Sequence, residues 1–361
     1  MKTVIQVVQH LSPGGIEVMA LELKKYNQKN MKMIIVSLEG SKALALKEWD
    51  RLTPYSDDLF FMKKRAGLDV RLLFRLSALF KRCGATAIHT HHIGPLIYGG
   101  IAARIAGIET RIHTEHDAWH LESTKRCWLE HAALFLARPK LIADADTVAR
   151  QLTLKLNKTN VSVIKNGIDV EHFCPGNQGR ARAMFELPLD RTIIGCAGRL
   201  EKVKGQCYLL RALAKLGSHV HLALAGDGSQ RKRLESLAHE LGIYDRVHFL
   251  GAIDDMPTFY QGIDVFCLPS LREGLPLSAL EAQACGIPAV ISDTGGAKEA
   301  LCEHTGYLIV PGDVDSLTQG IQSVLNNCHD ITPRDFVENT ANLKSMASAY
   351  AKLCLHEGEA A

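Results

Sequence analysis

The sequence predicts an α/β protein of two doubly wound, parallel-sheet domains in tandem, on three observations. Strand-length apolar runs alternate with helical stretches throughout the 361 residues. The alternation breaks once, at VSVIKNGIDVEHFCPGNQG (Val161 to Gly179), a stretch rich in Gly, Asn, Asp and Pro that reads as a domain boundary. In the second half the residues that follow successive strands are glycine-rich or cationic, which suits the ligand-binding carboxyl ends of a parallel sheet.

In the front half the strands read as Thr3 to Val8, Met33 to Ser37, Ala87 to Thr90, Thr110 to Thr114 and Leu141 to Ala143. Between them lie helical patterns such as Gly15 to Tyr26 and Leu96 to Ala106. The second half restarts with Thr192 to Ala197, His221 to Ala225, Val247 to Leu250, Val265 to Pro269, Ala289 to Ser292 and Tyr307 to Val310. A last helical pattern runs from Asp335 to Leu355. The expected division is 1–166, 167–338 and a terminal helical segment 339–361.

Hydrophobic content of 47% supplies two cores. The ten cysteines are scattered with no C-x-x-C and read as reduced core residues. The apolar run Val4 to Val8 is interrupted by Gln6 and reads as a strand rather than a leader or membrane span, so a cytoplasmic protein is expected. Net charge is +3, but residues 1–160 hold 24 Lys/Arg against 15 Asp/Glu (+9) and the remainder 18 against 24 (−6). The basic half suits an anionic partner such as a membrane surface. Its densest patch, residues 61–82, has seven basic residues and one Asp interleaved with Val70, Leu72, Leu73, Leu76, Leu79 and Phe80. That pattern fits an amphipathic helix lying on an anionic membrane, though a core-packed helix with solvated charges accounts for it better. No aromatic-rich basic motif of a nucleic-acid binder accompanies it.

The chemistry concentrates between Asp264 and Gly296. Glu273 falls on the turn after a strand, and Glu281 on a helix from Pro276 to Cys285 closed by Gly286. A chain that turns through Gly274 into a helix presents unpaired N–H groups that hold phosphate, and carboxylates on either side can accept sugar hydroxyls. Alone, the pair is better read as a surface glutamate and a glutamate on a solvated helix face. It has company at the other strand ends: GRLEKVKG with Arg199 and Lys204, GDG with Gly226 and Gly228, and DTGG with Gly295 and Gly296. Arg199 and Lys204 can clamp a diphosphate, and the glycines let backbone approach a ligand.

The runs GRLEKVKG, LALAGDG, RVHFLGAI and the Glu273 to Glu281 segment resemble the donor-binding half of retaining glycosyltransferases of the GT-B fold, family four. In the front half LSPGGIE, HTHHIGPLIYG, HTEHD and VIKNGID resemble that family's strand-end loops and interdomain hinge, so the likeness covers nearly the whole chain. It implies two Rossmann-like domains facing an interdomain cleft, an acceptor-side front domain, and a last helix crossing back to it. Arg199 and Lys204 would neutralise the diphosphate of a nucleotide sugar, Glu281 would bind the ribose, and Glu273 would touch the transferred sugar. Gly274 and Leu275 would hold phosphate or sugar, and Gly251 to Ile253 the base. Gly14 and Gly15 would approach the diphosphate, and His116 would lie beside the donor sugar. Glu273 and His116 are the catalytic candidates.

The resemblance further implies a saccharide or lipid-linked acceptor in bacterial envelope or polysaccharide assembly, at the inner face of the cytoplasmic membrane. No cofactor is expected, since the nucleotide sugar is itself the donor substrate. D-x-D sequences at Asp144 to Asp146 and Asp313 to Asp315 resemble manganese sites of the other main glycosyltransferase fold. The first sits at a strand-to-helix junction where capping accounts for it, so metal-independent transfer is expected. Two readings compete: a non-catalytic nucleotide-sugar binding subunit, and a metal-dependent hydrolase using His89, His91, His92, His113 and His116. The hydrolase pattern H-x-H-x-D-H fails where Ile93 and Gly94 follow.

Overall fold

The computed structural model describes residues 1–26, 31–326 and 332–355. Cys328 lies outside them; the other nine cysteines carry free thiols, five of them buried. The chain divides into two compact units, Met1–Asn166 with the segment from Leu343 onward, and Gly167–Asn342.

The first unit holds β1 (Lys2–Val8), β2 (Met31–Ser37), β3 (Leu59–Phe61), β4 (Ala85–His91), β5 (Thr110–Glu115), β6 (Lys140–Ala143) and β7 (Val161–Val163). They pair in parallel in the order β3-β2-β1-β4-β5-β6-β7. Every residue of β1 from Thr3 to Val8 is buried, because helices cover both faces of a parallel sheet. Alternation then sorts the residues: Ile5 and Val7 pack with Ile34, Val36, Leu72, Leu76, Phe80 and Ile88, while Val4 packs with Met19, Leu23, Ala87 and Ile112. The second cluster is completed by Leu343, Met346, Tyr350 and Cys354, which makes the helix Leu343–Leu355 part of this unit's core.

The second unit holds β8 (Thr192–Ala197), β9 (Val220–Ala225), β10 (Val247–Gly251), β11 (Val265–Leu268), β12 (Ala289–Ser292) and β13 (Tyr307–Ile309). Their order is β10-β9-β8-β11-β12-β13, parallel throughout. Both sheets are therefore doubly wound, with order reversing between β1 and β4 in one and between β8 and β11 in the other.

Four expectations are corrected. The strands β3 and β7, three residues each, lack enough sequence to show a period, and β7 falls inside the stretch read as a boundary. The basic patch 61–82 is not one helix: Phe61 ends β3, and the helix spans Val70–Arg82. That helix buries Leu72, Leu76, Leu79 and Phe80 at helical spacing, each apolar side chain contributing about 1.5–3 kcal/mol relative to exposure. Lys63, Lys64 and Arg65 precede it, and Lys64 lies 3.5 Å from Glu39. The pattern from Asp335 to Leu355 is two helices, Pro333–Thr340 and Leu343–Leu355, parted where the Ala341 carbonyl accepts from Ile168 N–H at 2.7 Å. Asp144 does not cap the helix Asp146–Leu156, whose N-cap is Ala145 with no side-chain bond. Asp313 does cap, its Oδ1 accepting from the N–H groups of Asp315 and Ser316.

Candidate functional site

A doubly wound sheet opens a crevice where its strand order reverses, because adjacent crossovers leave toward opposite faces. In the second unit that point lies between the carboxyl ends of β8 and β11, and the loops leaving them are tied together by backbone hydrogen bonds. Leu271 N–H donates to the Val203 carbonyl at 2.8 Å, linking the loop after β11 to the loop after β8. The tie continues on both sides: Leu200 N–H to Asp227 O (2.9 Å), Gly226 N–H to Gly251 O (2.6 Å), and Gly296 N–H to Gly274 O (3.0 Å). Five strand ends, β10, β9, β8, β11 and β12, thus form one continuous rim.

Glycine is needed where this rim is tightest. Gly205 stands at φ +69°, between the turn Lys202–Lys204 and the helix Gln206–Lys215, and a Cβ there would overlap the Pro269 carbonyl oxygen. A Cβ at Gly226 would meet the Gly198 carbonyl in the same way.

Side chains placed by this rim come from three loops. Lys204 Nζ lies 2.6 Å from Glu273 Oε1, with the two side chains 23% and 11% exposed, so the cation is drawn to the β11 end but stays reachable from solvent. Arg199 is exposed on the same loop, and Leu275 is 8% exposed beside Gly274. Ile253 follows Gly251 at the end of β10. The helix Leu277–Ala284 starts at Pro276 with no side-chain cap, so its first N–H groups and the positive end of its dipole face the Glu273 turn. It ends with Gly286 at φ +85°, where Ile287 N–H reaches back to Ala282 O.

Glu281, on that helix, accepts a 2.7 Å hydrogen bond at Oε2 from the Tyr260 hydroxyl. Burial, reinforced by the Glu281 charge, pushes the Tyr260 phenol well above its ordinary value, so it remains a donor that fixes the carboxylate. Tyr260 escaped sequence reasoning: it stands 21 positions before Glu281, and no local pattern signals such a partner. Nearby Cys196, whose thiol burial pushes up to about 12, is a packing residue and not a nucleophile.

In the first unit Gly14 precedes the helix Gly15–Lys25 after β1. Glu17 Oε2 lies 2.5 Å from where a Gly14 Cβ would stand, and Glu17 Oε1 lies 2.9 Å from His10 Nδ1. The hydrogen bond that His10 donates to the Glu17 carboxylate raises the imidazole above its usual value against the pull of burial.

His116 follows β5 and is buried in a chain of polar groups. The Gln6 amide nitrogen donates to Ala20 O (3.0 Å) and Met33 Sδ (2.8 Å), which turns its Oε1 toward His91 Nε2 at 3.0 Å. His91 is kept neutral by burial, so its proton sits on Nε2 and its Nδ1 accepts from His116 Nε2 at 3.2 Å. His116 Nδ1 then shares a proton with Asp144 Oδ2 at 3.1 Å, an oxygen that also accepts from Asn166 Nδ2 at 2.9 Å. Both ring nitrogens of His116 are engaged inside the unit, so any contact it makes with a ligand comes through its ring edge or backbone. His89 is likewise committed, with Nε2 2.8 Å from Thr114 Oγ1. Of the histidine set of the hydrolase reading, His89, His91 and His116 are thus spent on internal hydrogen bonds; His113 bonds Thr90 and faces Glu115 and Glu130, and His92, partly exposed, stands 4.0 Å from Glu115.

A groove of about 860 Å³ lined by Phe135, Arg138, Lys140 and Asn157 opens at the amino end of β6. Parallel sheets bind ligands at the opposite edge, so the switch-point rim is the stronger candidate site.

Known proteins supply the comparison. Residues 13–172 match the family described as Glycosyltransferase Family 4, and residues 177–343 the family described as Glycosyl transferases group 1. The chain is 31% identical over 309 residues to the UDP-Gal:alpha-D-GlcNAc-diphosphoundecaprenol alpha-1,3-galactosyltransferase of Escherichia coli, covering 79% of this chain and 80% of that protein. It is 37% identical over 196 residues to the D-inositol 3-phosphate glycosyltransferase of Mycolicibacterium smegmatis, 52% of this chain and 45% of that one. Its fold is similar to the crystal structure of Anabaena HepE in complex with UDP and glucose, with a TM-score of 0.82 at 21% identity, covering 98% and 99% of the two chains.

Proposed function

The chain belongs to the family 4 glycosyltransferases of the GT-B fold, and from that premise we propose that it transfers a sugar, with retention, from a nucleotide-diphosphate sugar to a saccharide or lipid-linked acceptor in bacterial envelope or polysaccharide assembly. The observation that carries the donor half of this reading is the Lys204–Glu273 pair, held at 2.6 Å on the tied strand ends of the second unit.

Departure of a nucleoside diphosphate builds negative charge on its oxygens while the sugar carbon becomes oxocarbenium-like. Lys204 and Arg199 are the fixed cations for the first charge, with the uncapped helix start at Gly274, Leu275 and Leu277 beside them. Glu273, released as Lys204 turns to the diphosphate, is the carboxylate for the second. Glu281, held by Tyr260, accepts the ribose hydroxyls, and the base lies along Gly251 to Ile253 with Gly226 leaving room behind it. Gly14 and Gly15 serve the diphosphate, and His116 the donor sugar. No side chain is assigned as a nucleophile, and the diphosphate takes the acceptor's proton in a front-face displacement. No metal enters the donor chemistry in this reading, because cationic side chains already face the diphosphate.

The galactosyltransferase relative's name supports a uridine donor and a polyprenyl-diphosphate acceptor. No described helix is long and apolar enough to cross a membrane. Contact with an anionic cytoplasmic leaflet is proposed through the segment 61–82, where Lys63, Arg65, Lys81 and Arg82 are exposed beside Leu68, Val70 and Phe74. Charge reversal at Lys63 and Arg65 should release the protein from phosphatidylglycerol vesicles; undiminished binding removes this surface from the account.

The donor assignment is tested by Arg199→Ala and Lys204→Ala. Each should lose about 1.5–3 kcal/mol of charge-assisted bonding to a UDP-sugar, roughly 10- to 150-fold in Kd by calorimetry. Unchanged affinity and turnover in both variants would sink it.

A further inference from the structure

Two histidines and two glutamates of the first unit converge in its interior, and the donor site does not use them. His113 and Glu115 lie on β5, His120 on the turn Trp119–Glu122, and Glu130 on the helix Thr124–Ala137. His113 Nε2 stands 2.7 Å from Glu115 Oε1 and 3.6 Å from Glu130 Oε1, and His120 Nε2 stands 3.8 Å from Glu130 Oε2. His113, Glu115 and Glu130 are fully buried.

The outer nitrogens fix what the inner ones offer. Thr90 Oγ1 lies 3.2 Å from the Ile112 carbonyl oxygen, to which it can donate, and 2.9 Å from His113 Nδ1, from which it can then accept. With its proton on Nδ1, His113 can present the Nε2 lone pair to a cation held against the two carboxylates; without a cation, Nε2–H instead donates to Glu115 Oε1 at 2.7 Å. His120 repeats the arrangement, with Nδ1 3.2 Å from Asp117 Oδ1 and Nε2 pointing inward. An imidazole that gives Nδ1–H to a hydroxyl or carboxylate and presents Nε2 to a shared centre is the usual outer-sphere support of a bound metal. Independently, Glu115 Oε2, both Glu130 oxygens and His120 Nε2 are buried without a hydrogen-bond partner. Four inward-facing polar atoms, three of them carboxylate oxygens, call for positive charge among them.

We propose that His113, Glu115, His120 and Glu130 bind one divalent d-block cation, zinc by ligand chemistry, as a structural centre of the first unit. Two imidazoles and two carboxylates suit Zn²⁺, and the nitrogen donors disfavour Ca²⁺ and Mg²⁺. Ligand atoms of a tetrahedral zinc site lie about 3.3 Å apart when each bond is about 2.0 Å; here one atom each of His113, Glu115 and Glu130 lie within 4.8 Å of one another, and His120 Nε2 stands 3.8 Å from the other Glu130 oxygen, so His120 closes in as the fourth ligand. The centre would fasten the end of β5 to the two segments that follow it, and so hold the stretch bearing His116. It concerns a different unit from the Lys204–Glu273 pair, so each can fail alone.

The test uses the full-length protein, stripped with a chelator and titrated with Zn²⁺ against a competing indicator, with thermal unfolding followed in parallel. The expected result is one equivalent bound and a raised Tm, with affinity falling about tenfold or more in Glu130→Gln and in His120→Ala. Lys204→Ala should bind zinc as the parent does. Should Glu130→Gln not fold, His120→Ala and the parent titration decide the matter. Absence of binding at micromolar zinc in the parent overturns the proposal and assigns the compensating positive charge to second protons on His113 and His120. Equal affinity in parent and variants overturns it too, since the zinc would then sit elsewhere.

Discussion

Gly205→Ala isolates what the tied rim contributes, because a second glycine provides its control. Gly205 and Gly242 have nearly the same backbone, φ +69° and +66°, but different surroundings. Nothing lies within 4 Å of a Cβ at Gly242, whereas at Gly205 it would overlap the Pro269 carbonyl. At Gly242 alanine pays only the left-handed strain, about 1–2 kcal/mol, partly offset by about 0.4–1 kcal/mol from a less flexible unfolded chain. A net loss near 1 kcal/mol corresponds to roughly 2–4 °C in Tm for a unit of this size. At Gly205 the overlap with backbone adds about 1–3 kcal/mol of overpacking, for a total of about 2–4 kcal/mol and roughly 4–16 °C. Relief requires the loop after β8 to part from the loop after β11, which breaks the Leu271–Val203 bond and draws Lys204 away from Glu273. Gly205→Ala should therefore lose donor affinity as well as stability, and Gly242→Ala only a little stability. Equal Tm losses in the two variants, or undiminished UDP-sugar affinity in Gly205→Ala, would refute the reasoning.

Three further outcomes follow from other polar contacts. Tyr260→Phe removes the donor to Glu281 and should cost about 1.5 kcal/mol in denaturant unfolding, the low end because water can reach the half-buried carboxylate; an unaltered midpoint contradicts the bond. Asp144→Ala strands both His116 and Asn166, so it should destabilise by about 2–4 kcal/mol, clearly more than Asp144→Asn, which keeps an acceptor oxygen; equal losses would dismiss the network. By NMR, His10 should titrate above 6.5 and return toward it in Glu17→Gln. Because the folded value is raised, the pair's stabilisation is fully present below pH 6.5 and is lost as pH rises from there through the higher folded value; titration at or below 6.5 in the parent denies the contact.

The architecture was legible because burial on both faces of a parallel sheet writes strands as continuous apolar runs, as in β1, β8 and β11. Glycines at the strand ends were legible too, but not what they lie against: Gly205 against Pro269 joins chain 64 positions apart. Short elements escaped, since β3 and β7 are too brief to show a period. Asp144 was misread because its neighbourhood looks like a helix cap, while its partners, His116 and Asn166, arrive from 28 and 22 positions away. The break at Ala341 escaped although Asn339, Thr340 and Asn342 around it are poor helix formers; there the Ala341 carbonyl meets the distant Ile168 amide. Glu130 and His120 carried no signal at all, for their meaning depends on a turn and a helix folding back onto β5.

The central claim is that the tied strand ends of the second unit hold a nucleotide-diphosphate sugar. Thermal unfolding of the parent protein with uridine-, guanosine- and adenosine-diphosphate sugars tests it without knowledge of the acceptor. One of the three should stabilise the fold, by about 2.7 kcal/mol at a hundredfold excess over Kd, and Lys204→Ala should need a tenfold or greater increase in ligand to match it. No shift with any of them at millimolar concentration would contradict the assignment.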